Sequence, residues 1–237
     1  EKTELGHGLD LAIARGDLKL LRKLDVRTNG KFPEIAGCEA FLRGDYKKAA
    51  DAFAKAIPLD GGKGKKRSAV ATEHLPALLY VLLLIRENSP ESISMAQSLI
   101  AIGTKGDKND YSLALSIASL AIDFQAAPVE PKNFAKSLNN HSHPALMTLI
   151  AGYFDQWLLT EDDGGRQISG LAEAAKSFEQ AGLTWLASET NGLLSLTKLA
   201  GAKEAAVKYD QSCQQPGTVS LVNLIEAEPA WQRSLNA

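Results

Sequence analysis

The feature that most constrains this chain is a string of short segments with helical spacing of apolar residues, each closed by a glycine or proline turn. Apolar side chains recur at helical spacing, as at Leu5, Leu9 and Ile13, and alternating strand patterns are nearly absent. Turns such as Gly16-Asp17 and Gly44-Asp45 separate neighbouring segments. Roughly a dozen short helices joined by tight turns favour stacked helix pairs over a bundle of long helices. We therefore predict an all-α fold, an α-α superhelix of stacked antiparallel helix hairpins.

Local signals place several helix ends. In Ser89-Pro90-Glu91, the serine can cap a helix, the proline suits its first position and the glutamate complements the helix dipole. Gly182 and Gly201 predict the ends of helices near 166–181 and 183–200.

The domain organisation follows from one break in the pattern. Segment 58–71 (PLDGGKGKKRSAVA) combines glycine and proline breakers with a basic run. We predict one helical-repeat domain over residues 1–237. A subdivision near 58–71, separating 1–60 from 72–237, is the alternative.

Composition and charge limit the class of protein. Hydrophobic residues make up 45% of the chain and charged residues 23%, values typical of globular proteins. Residues 1–70 carry 15 Lys/Arg against 10 Asp/Glu, a mild basic bias, whereas 71–237 carry 11 against 18. The longest apolar run, Leu75 to Ile85, is far shorter than the roughly 20 residues of a membrane span, so we expect a buried helix and no membrane contact. Cys38 and Cys213 form no disulfide framework, which favours a reducing, cytoplasmic location.

The segment 33–60 (PEIAGCEAFLRGDYKKAADAFAKAIPLD) resembles the tetratricopeptide repeat. Small residues would let the two helices of a hairpin approach, and an aromatic ring would fill the space beyond them. The matching residues are Ala36, Gly37, Gly44, Asp45, Tyr46, Ala49, Phe53, Ala56 and Ile57. The departures are Pro33, Ala40 and Gly61, where the family has Trp, Tyr and Pro.

The resemblance implies a binding groove lined by the first helix of this hairpin. The family's groove positions correspond to Lys31, Glu34, Cys38, Phe41 and Leu42. Positions 34, 38 and 41 share one helical face, which suits a surface for a peptide. The alternative is that Phe41 and Leu42 belong to the core.

Two further stretches resemble the region that precedes the motor in bacterial SWI2/SNF2-like helicases. They are GLTWLASETNGLLSLTKL (182–199) and EPAWQRSLNA (228–237). The chain also opens at Glu1 and not at Met, which indicates a fragment or a processed product. This resemblance implies an accessory, N-terminal region of a larger ATP-dependent nucleic-acid motor.

The basic loop 61–67 (GGKGKKR) departs from a nucleotide-binding phosphate loop, which needs Ser or Thr directly after its Gly-Lys. A solvated loop is expected, with contact to an anion through Lys63, Lys65, Lys66 and Arg67 as the alternative.

His141-Ser142-His143 has no acidic residue within ten positions on either side, and only His7 and His74 remain elsewhere, so no metal site is expected. Arg-Gly-Asp at 15–17 and 43–45 falls at helix turns, where Gly and Asp have local roles.

Nucleophile elbows, zinc-protease pairs and redox cysteine pairs are missing from the sequence. We therefore expect an interaction scaffold without catalytic activity or cofactor, and a protein or peptide as its partner. The accessory region of a nucleic-acid motor is the alternative function, with nucleic acid as its partner.

Overall fold

The computed structural model describes residues 2–56, 74–105, 109–126, 145–157, 168–213 and 218–222. Within these ranges the chain forms eleven α-helices and no strands, which confirms the predicted all-α class. Most consecutive helices pack on one another in pairs. The helices are α1 (Lys2–Arg15), α2 (Leu18–Thr28), α3 (Pro33–Leu42), α4 (Tyr46–Ala56), α5 (Leu75–Glu87), α6 (Pro90–Gly103), α7 (Asp110–Ala126), α8 (Ala145–Trp157), α9 (Leu171–Gln180), α10 (Thr184–Ser195) and α11 (Ala202–Cys213).

The chain forms two compact units, and it passes from the first to the second within α7. Unit 1 comprises Glu1–Leu115 and Gly217–Val219, and unit 2 comprises Ser116–Pro216 and Ser220–Ala237. The predicted subdivision near 58–71 lies outside the described residues, and the prediction of one domain stays a prediction.

Unit 1 begins with two helix hairpins whose turns are set by Gly-Asp pairs. Gly44 has a φ of 78°, a left-handed conformation that glycine adopts without strain. The carboxylate of Asp17 accepts the backbone N–H of Leu20 at 2.9 Å, and that of Asp45 accepts the N–H of Lys48 at 3.3 Å. Both aspartates therefore satisfy free N–H groups at the start of the following helix, as the sequence predicts.

The α3–α4 hairpin depends on a close approach at Gly37. A Cβ atom on Gly37 would lie 2.7 Å from Cε1 of Phe53, so only glycine lets the ring rest on α3. Phe53, Ala49 and Ala56 are buried. The side chains that the repeat pattern places at the helix contact therefore lie in the core of unit 1.

Helix α5 is the most completely buried element of unit 1. Each residue from Leu75 to Ile85 is buried, as expected for the apolar run. Ser89 and Ser92 then form a reciprocal capping box at the start of α6, and Pro90 occupies its first position. Among the described residues, no helix has both the length and the apolar character needed to cross a membrane.

The last described part of unit 1 is remote in sequence from its helices. The backbone N–H of Val219 donates to the carbonyl of Leu42 at 2.7 Å. The side chain of Val219 also lies 3.3 Å from where a Cβ atom of Gly44 would be. Val219 thus covers the turn between α3 and α4.

Unit 2 contains the hairpin pairs α8–α9, α9–α10 and α10–α11, with Tyr153, Phe154 and Leu193 in its core. Helix α10 ends at Ser195, five residues before the predicted end. The hydroxyl of Thr197 donates to the carbonyl of Leu194 and accepts the N–H of Leu199. Such side-chain bonds compete with helical backbone bonds, which explains the early end.

Candidate functional site

The predicted groove residues lie mostly in the interior of unit 1. Glu34, Cys38, Phe41 and Leu42 are each at most 1% exposed, whereas Lys31 is exposed before α3. The Phe41 ring packs edge-on against Tyr46, with centroids 5.6 Å apart. A partner cannot reach the four buried side chains in this conformation, which favours the core interpretation for Phe41 and Leu42. Binding at these positions stays a prediction.

Burial also lowers the reactivity of Cys38, the cysteine among the predicted groove residues. Burial raises the pKa of the Cys38 thiol well above its usual value, and the nearby charges of Glu34 and Asp10 raise it further. The thiolate is therefore disfavoured, and Cys38 is a packing residue in this conformation.

Several predicted features lie outside the described residues. These are the basic side chains Lys63, Lys65, Lys66 and Arg67, the pair His141 and His143, and the stretch 228–237. The other stretch of the helicase resemblance, 182–199, forms α10 and the turns after it.

A site that the sequence did not suggest lies in unit 2, around Glu189 of α10. Glu189 is fully buried, one helical turn after Trp185 and one before Leu193, in the interior face of the helix. The Tyr153 hydroxyl on α8 donates a hydrogen bond to its Oε2 atom. The same oxygen accepts the backbone N–H of Leu221 at 2.9 Å. One carboxylate therefore connects two helices of unit 2 to an irregular chain segment.

That segment, Ser220–Val222, is seated on α10 and α11. All three residues are buried, with Leu221 only 1% exposed. A Cβ atom on Gly192 would lie 2.8 Å from the Tyr209 ring and 3.0 Å from Cγ2 of Val222. The missing side chain at Gly192 therefore opens the space that Val222 and Tyr209 share. We call this arrangement of Tyr153, Glu189, Gly192 and Tyr209 the segment cleft.

The electrostatics of the segment cleft depend on the Glu189 carboxylate. Burial raises its pKa to about 7, above the usual glutamate value of 4.5. Hydrogen bonding from Ser220, Tyr153 and the backbone of Leu221 and Val222 acts in the opposite direction and favours the charged form. The Oε1 atom of Glu189 accepts no hydrogen bond from the described residues. The nearby Ser220 side chain nevertheless helps to lower the pKa of Glu189. Burial likewise raises the pKa of Tyr209, so its hydroxyl stays neutral. The cleft thus holds one acidic acceptor that keeps its proton to a higher pH than an exposed glutamate does.

The walls of the segment cleft are held together by polar contacts between helices. Glu179 on α9 accepts from Lys208 on α11 at 2.8 Å and from Asn191 on α10 at 3.1 Å. The hydroxyls of Ser188 and Ser212 also hydrogen-bond to each other, joining α10 to α11. These contacts fix the two helices that support the segment.

The segment cleft can hold a short, irregular chain segment. A buried carboxylate that accepts a backbone N–H recognises the main chain of a bound segment. The apolar side chains of Leu221 and Val222 in that segment add contact area. The sequence carried one usable signal, since Glu189 stands at a core position of an otherwise apolar helical face. The segment itself lacked a signal because its pairing with α10 depends on tertiary packing.

Comparison with known proteins adds no named relative: no protein-family model, no curated protein and no solved structure matches this chain.

Proposed function

We propose that this chain is a protein-interaction scaffold of paired helices that binds short polypeptide segments and has no catalytic step of its own. Consecutive helix hairpins supply rigid, closely packed surfaces on which a segment can rest. The observation that carries the proposal is the bond from the Leu221 backbone N–H to the buried carboxylate of Glu189.

The chemistry of this contact indicates the kind of partner. A main-chain bond is independent of side-chain identity, so a segment of another protein would satisfy Glu189 as Leu221 does. Selectivity would come from the two buried side chains, Leu221 and Val222, and from the small residue that precedes them. The expected ligand is therefore a short peptide with a Ser-Leu-Val-like core.

The chain's own segment would compete with such a ligand. Ser220–Val222 already fills the segment cleft, so an added peptide must displace it. Binding from outside is expected to be weak in the wild-type chain and stronger when the internal segment cannot dock. This competition makes the proposal testable with the chain's own sequence as the probe.

The test uses the full chain with Leu221→Asp and Val222→Asp, which place two charges where the cleft is apolar. Fluorescence anisotropy measures binding of a labelled peptide, TVSLVNL (218–224), with TVSDDNL as the matched control. We expect the double variant to bind the first peptide and not the second, with weaker binding by the wild type. Far-UV circular dichroism checks that the variant keeps its helices.

Absence of binding by a helical variant would contradict the proposal. Binding of a labelled DNA duplex, measured in the same assay, tests the alternative function as an accessory region of a nucleic-acid motor. Binding to DNA that weakens steeply with salt, without binding to the peptide, would favour an accessory region of a nucleic-acid motor.

A further inference from the structure

A second cluster of chemically active side chains lies in unit 1, away from the segment cleft. His7 and Asp10 are three residues apart on α1 and therefore share a face. His74 directly precedes α5, which packs on α1. One ligand atom from each of the three side chains lies within 4.8 Å of the other two.

Two members of the cluster are held in fixed orientations. The Oδ2 atom of Asp10 lies 2.7 Å from Nδ1 of His74. Its Oδ1 atom accepts the backbone N–H of Leu75, also at 2.7 Å. A Cβ atom on Gly6 would lie 2.1 Å from Nε2 of His74, so the imidazole rests on the bare backbone of α1. The carboxylate and the imidazole are therefore positioned before any ligand arrives.

His7 adds a third potential metal ligand beside Asp10 and His74, which a simple ion pair would not require. Its ring lies edge-on to that of His74, with centroids 5.4 Å apart. The side chains of Asp10 and His74 are only 13% and 9% exposed, whereas His7 is exposed at the mouth of the cluster. A solvated ion can therefore enter past His7 and meet two donors that are already shielded from water.

From this geometry we propose that His7, Asp10 and His74 form a binding site for a divalent transition-metal ion, with Zn²⁺ as the best match. Two imidazoles and one carboxylate are donors that zinc accepts at about 2.0–2.2 Å, with water completing the tetrahedron. Ligand atoms around such an ion lie about 3.4 Å apart. The Asp10–His74 contact would open slightly and His7, which is exposed, would turn inward.

Binding would also change the bonding between Asp10 and His74. Nδ1 of His74 must present its lone pair to the metal ion, so the hydrogen bond to Asp10 is given up and, in a neutral imidazole, the ring proton moves from Nδ1 to Nε2. Leu75 N–H would continue to hold the second carboxylate oxygen, as outer-shell donors do in metal sites. The bound ion would join α1 to the start of α5.

The test must exclude the other two histidines of the chain. We therefore start from the full chain with His141→Ala and His143→Ala, prepared without a polyhistidine tag. Isothermal titration with Zn²⁺ measures affinity and stoichiometry, and the visible absorption of added Co²⁺ reports the coordination geometry. We expect about one ion per chain and a tetrahedral Co²⁺ spectrum.

Removing the exposed ligand distinguishes a metal site from a structural ion pair. His7→Ala leaves the Asp10–His74 contact intact, so the fold is retained. Loss of even an outer-shell partner weakens metal affinity by about 10–100-fold, so loss of this ligand is expected to weaken Zn²⁺ binding by at least about tenfold. Asp10→Asn, which keeps the shape of the side chain, is expected to have a similar effect.

Glu87→Gln is the matched control, since Glu87 is an exposed carboxylate at the far end of α5. This variant should bind Zn²⁺ like its parent. The proposal is overturned if the parent binds no Zn²⁺, if His7→Ala binds it unchanged, or if Glu87→Gln weakens binding equally. Each of these results leaves peptide binding in unit 2 unaffected, so the two proposals fail separately.

Discussion

Replacing Glu189 with glutamine tests the account of the segment cleft most directly. The two side chains have nearly the same shape, and the glutamine carbonyl can still accept from Tyr153 and from the N–H of Leu221. The variant differs mainly in that it cannot ionise. A comparison with the wild type therefore isolates the free energy of placing a negative charge in the interior of unit 2.

The sign and size of the effect follow from the raised pKa. Burial raises the folded-state pKa of Glu189 to about 7, above the unfolded value near 4.5. A carboxyl group shifted in this direction stabilises the folded state fully below about pH 4.5, and this stabilisation is lost as the pH rises through about 7. At about 1.4 kcal/mol for each pH unit, the loss amounts to roughly 3 kcal/mol. The glutamine variant lacks this particular loss, because its side chain does not ionise over the same range.

The assay is urea unfolding of both proteins at several pH values, followed by tryptophan fluorescence. Of the three tryptophans, Trp157 and Trp185 belong to α8 and α10 of unit 2. We expect the unfolding free energy of Glu189→Gln relative to wild type to increase by roughly 3 kcal/mol between about pH 4 and about pH 8. Other titrating groups contribute equally to both proteins and cancel in the difference.

Glu179→Gln is the control, because the pKa of Glu179 is shifted in the opposite direction. Its hydrogen bond from Lys208 lowers that pKa, so its contribution is present above the unfolded value and is lost as the pH falls. The Glu179→Gln difference should therefore be smaller and of opposite slope, since this side chain is partly exposed. A difference for Glu189→Gln that stays flat with pH would refute the idea that burial governs this carboxylate.

Other predictions concern unit 1 and the two thiols. Gly37→Ala should destabilise the protein by about 1–3 kcal/mol in urea unfolding, because its Cβ would overlap the buried Phe53 ring. Gly8→Ala, where the nearest atom is an ordinary 3.4 Å away, should instead stabilise α1 by about 0.5–1 kcal/mol. Phe53→Ala should cost about 3–5 kcal/mol, and a loss below about 1 kcal/mol would contradict its place in the core. In a thiol-reagent assay, Cys213 should react in the native protein and Cys38 only on unfolding; prompt reaction of both would show that the interior is open.

The helices of this chain were predictable because their signals are local. Ser89 and Pro90 mark the start of α6 by chemistry within one turn, and Gly44-Asp45 marks a hairpin in the same way. Gly37 and Phe53 are separated by a single hairpin, so a repeat-like pattern was enough to bring them together. Signals of this kind depend little on the rest of the fold.

The candidate sites were not predictable for the opposite reason. Asp10 and His74 are separated by 64 positions, and only the packing of α1 on α5 brings them into contact. Leu221 meets Glu189 through a segment that has no periodic pattern. The sequence predicted that Glu34 and Phe41 line a groove, but both side chains are buried in unit 1. The sequence of one helix shows which residues share a face and does not show which other helix will cover that face.

The contact of Val219 with Leu42 has a consequence for the order in which the protein matures during synthesis. Residues up to Leu115 leave the ribosome long before Val219 is made, yet Val219 belongs to the same compact unit. Until then the Leu42 carbonyl and the turn at Gly44 must be hydrated or shielded by another molecule. Unit 1 is thus completed only after Val219 has been synthesised, and a nascent chain halted before Val219 would expose that turn to chaperones.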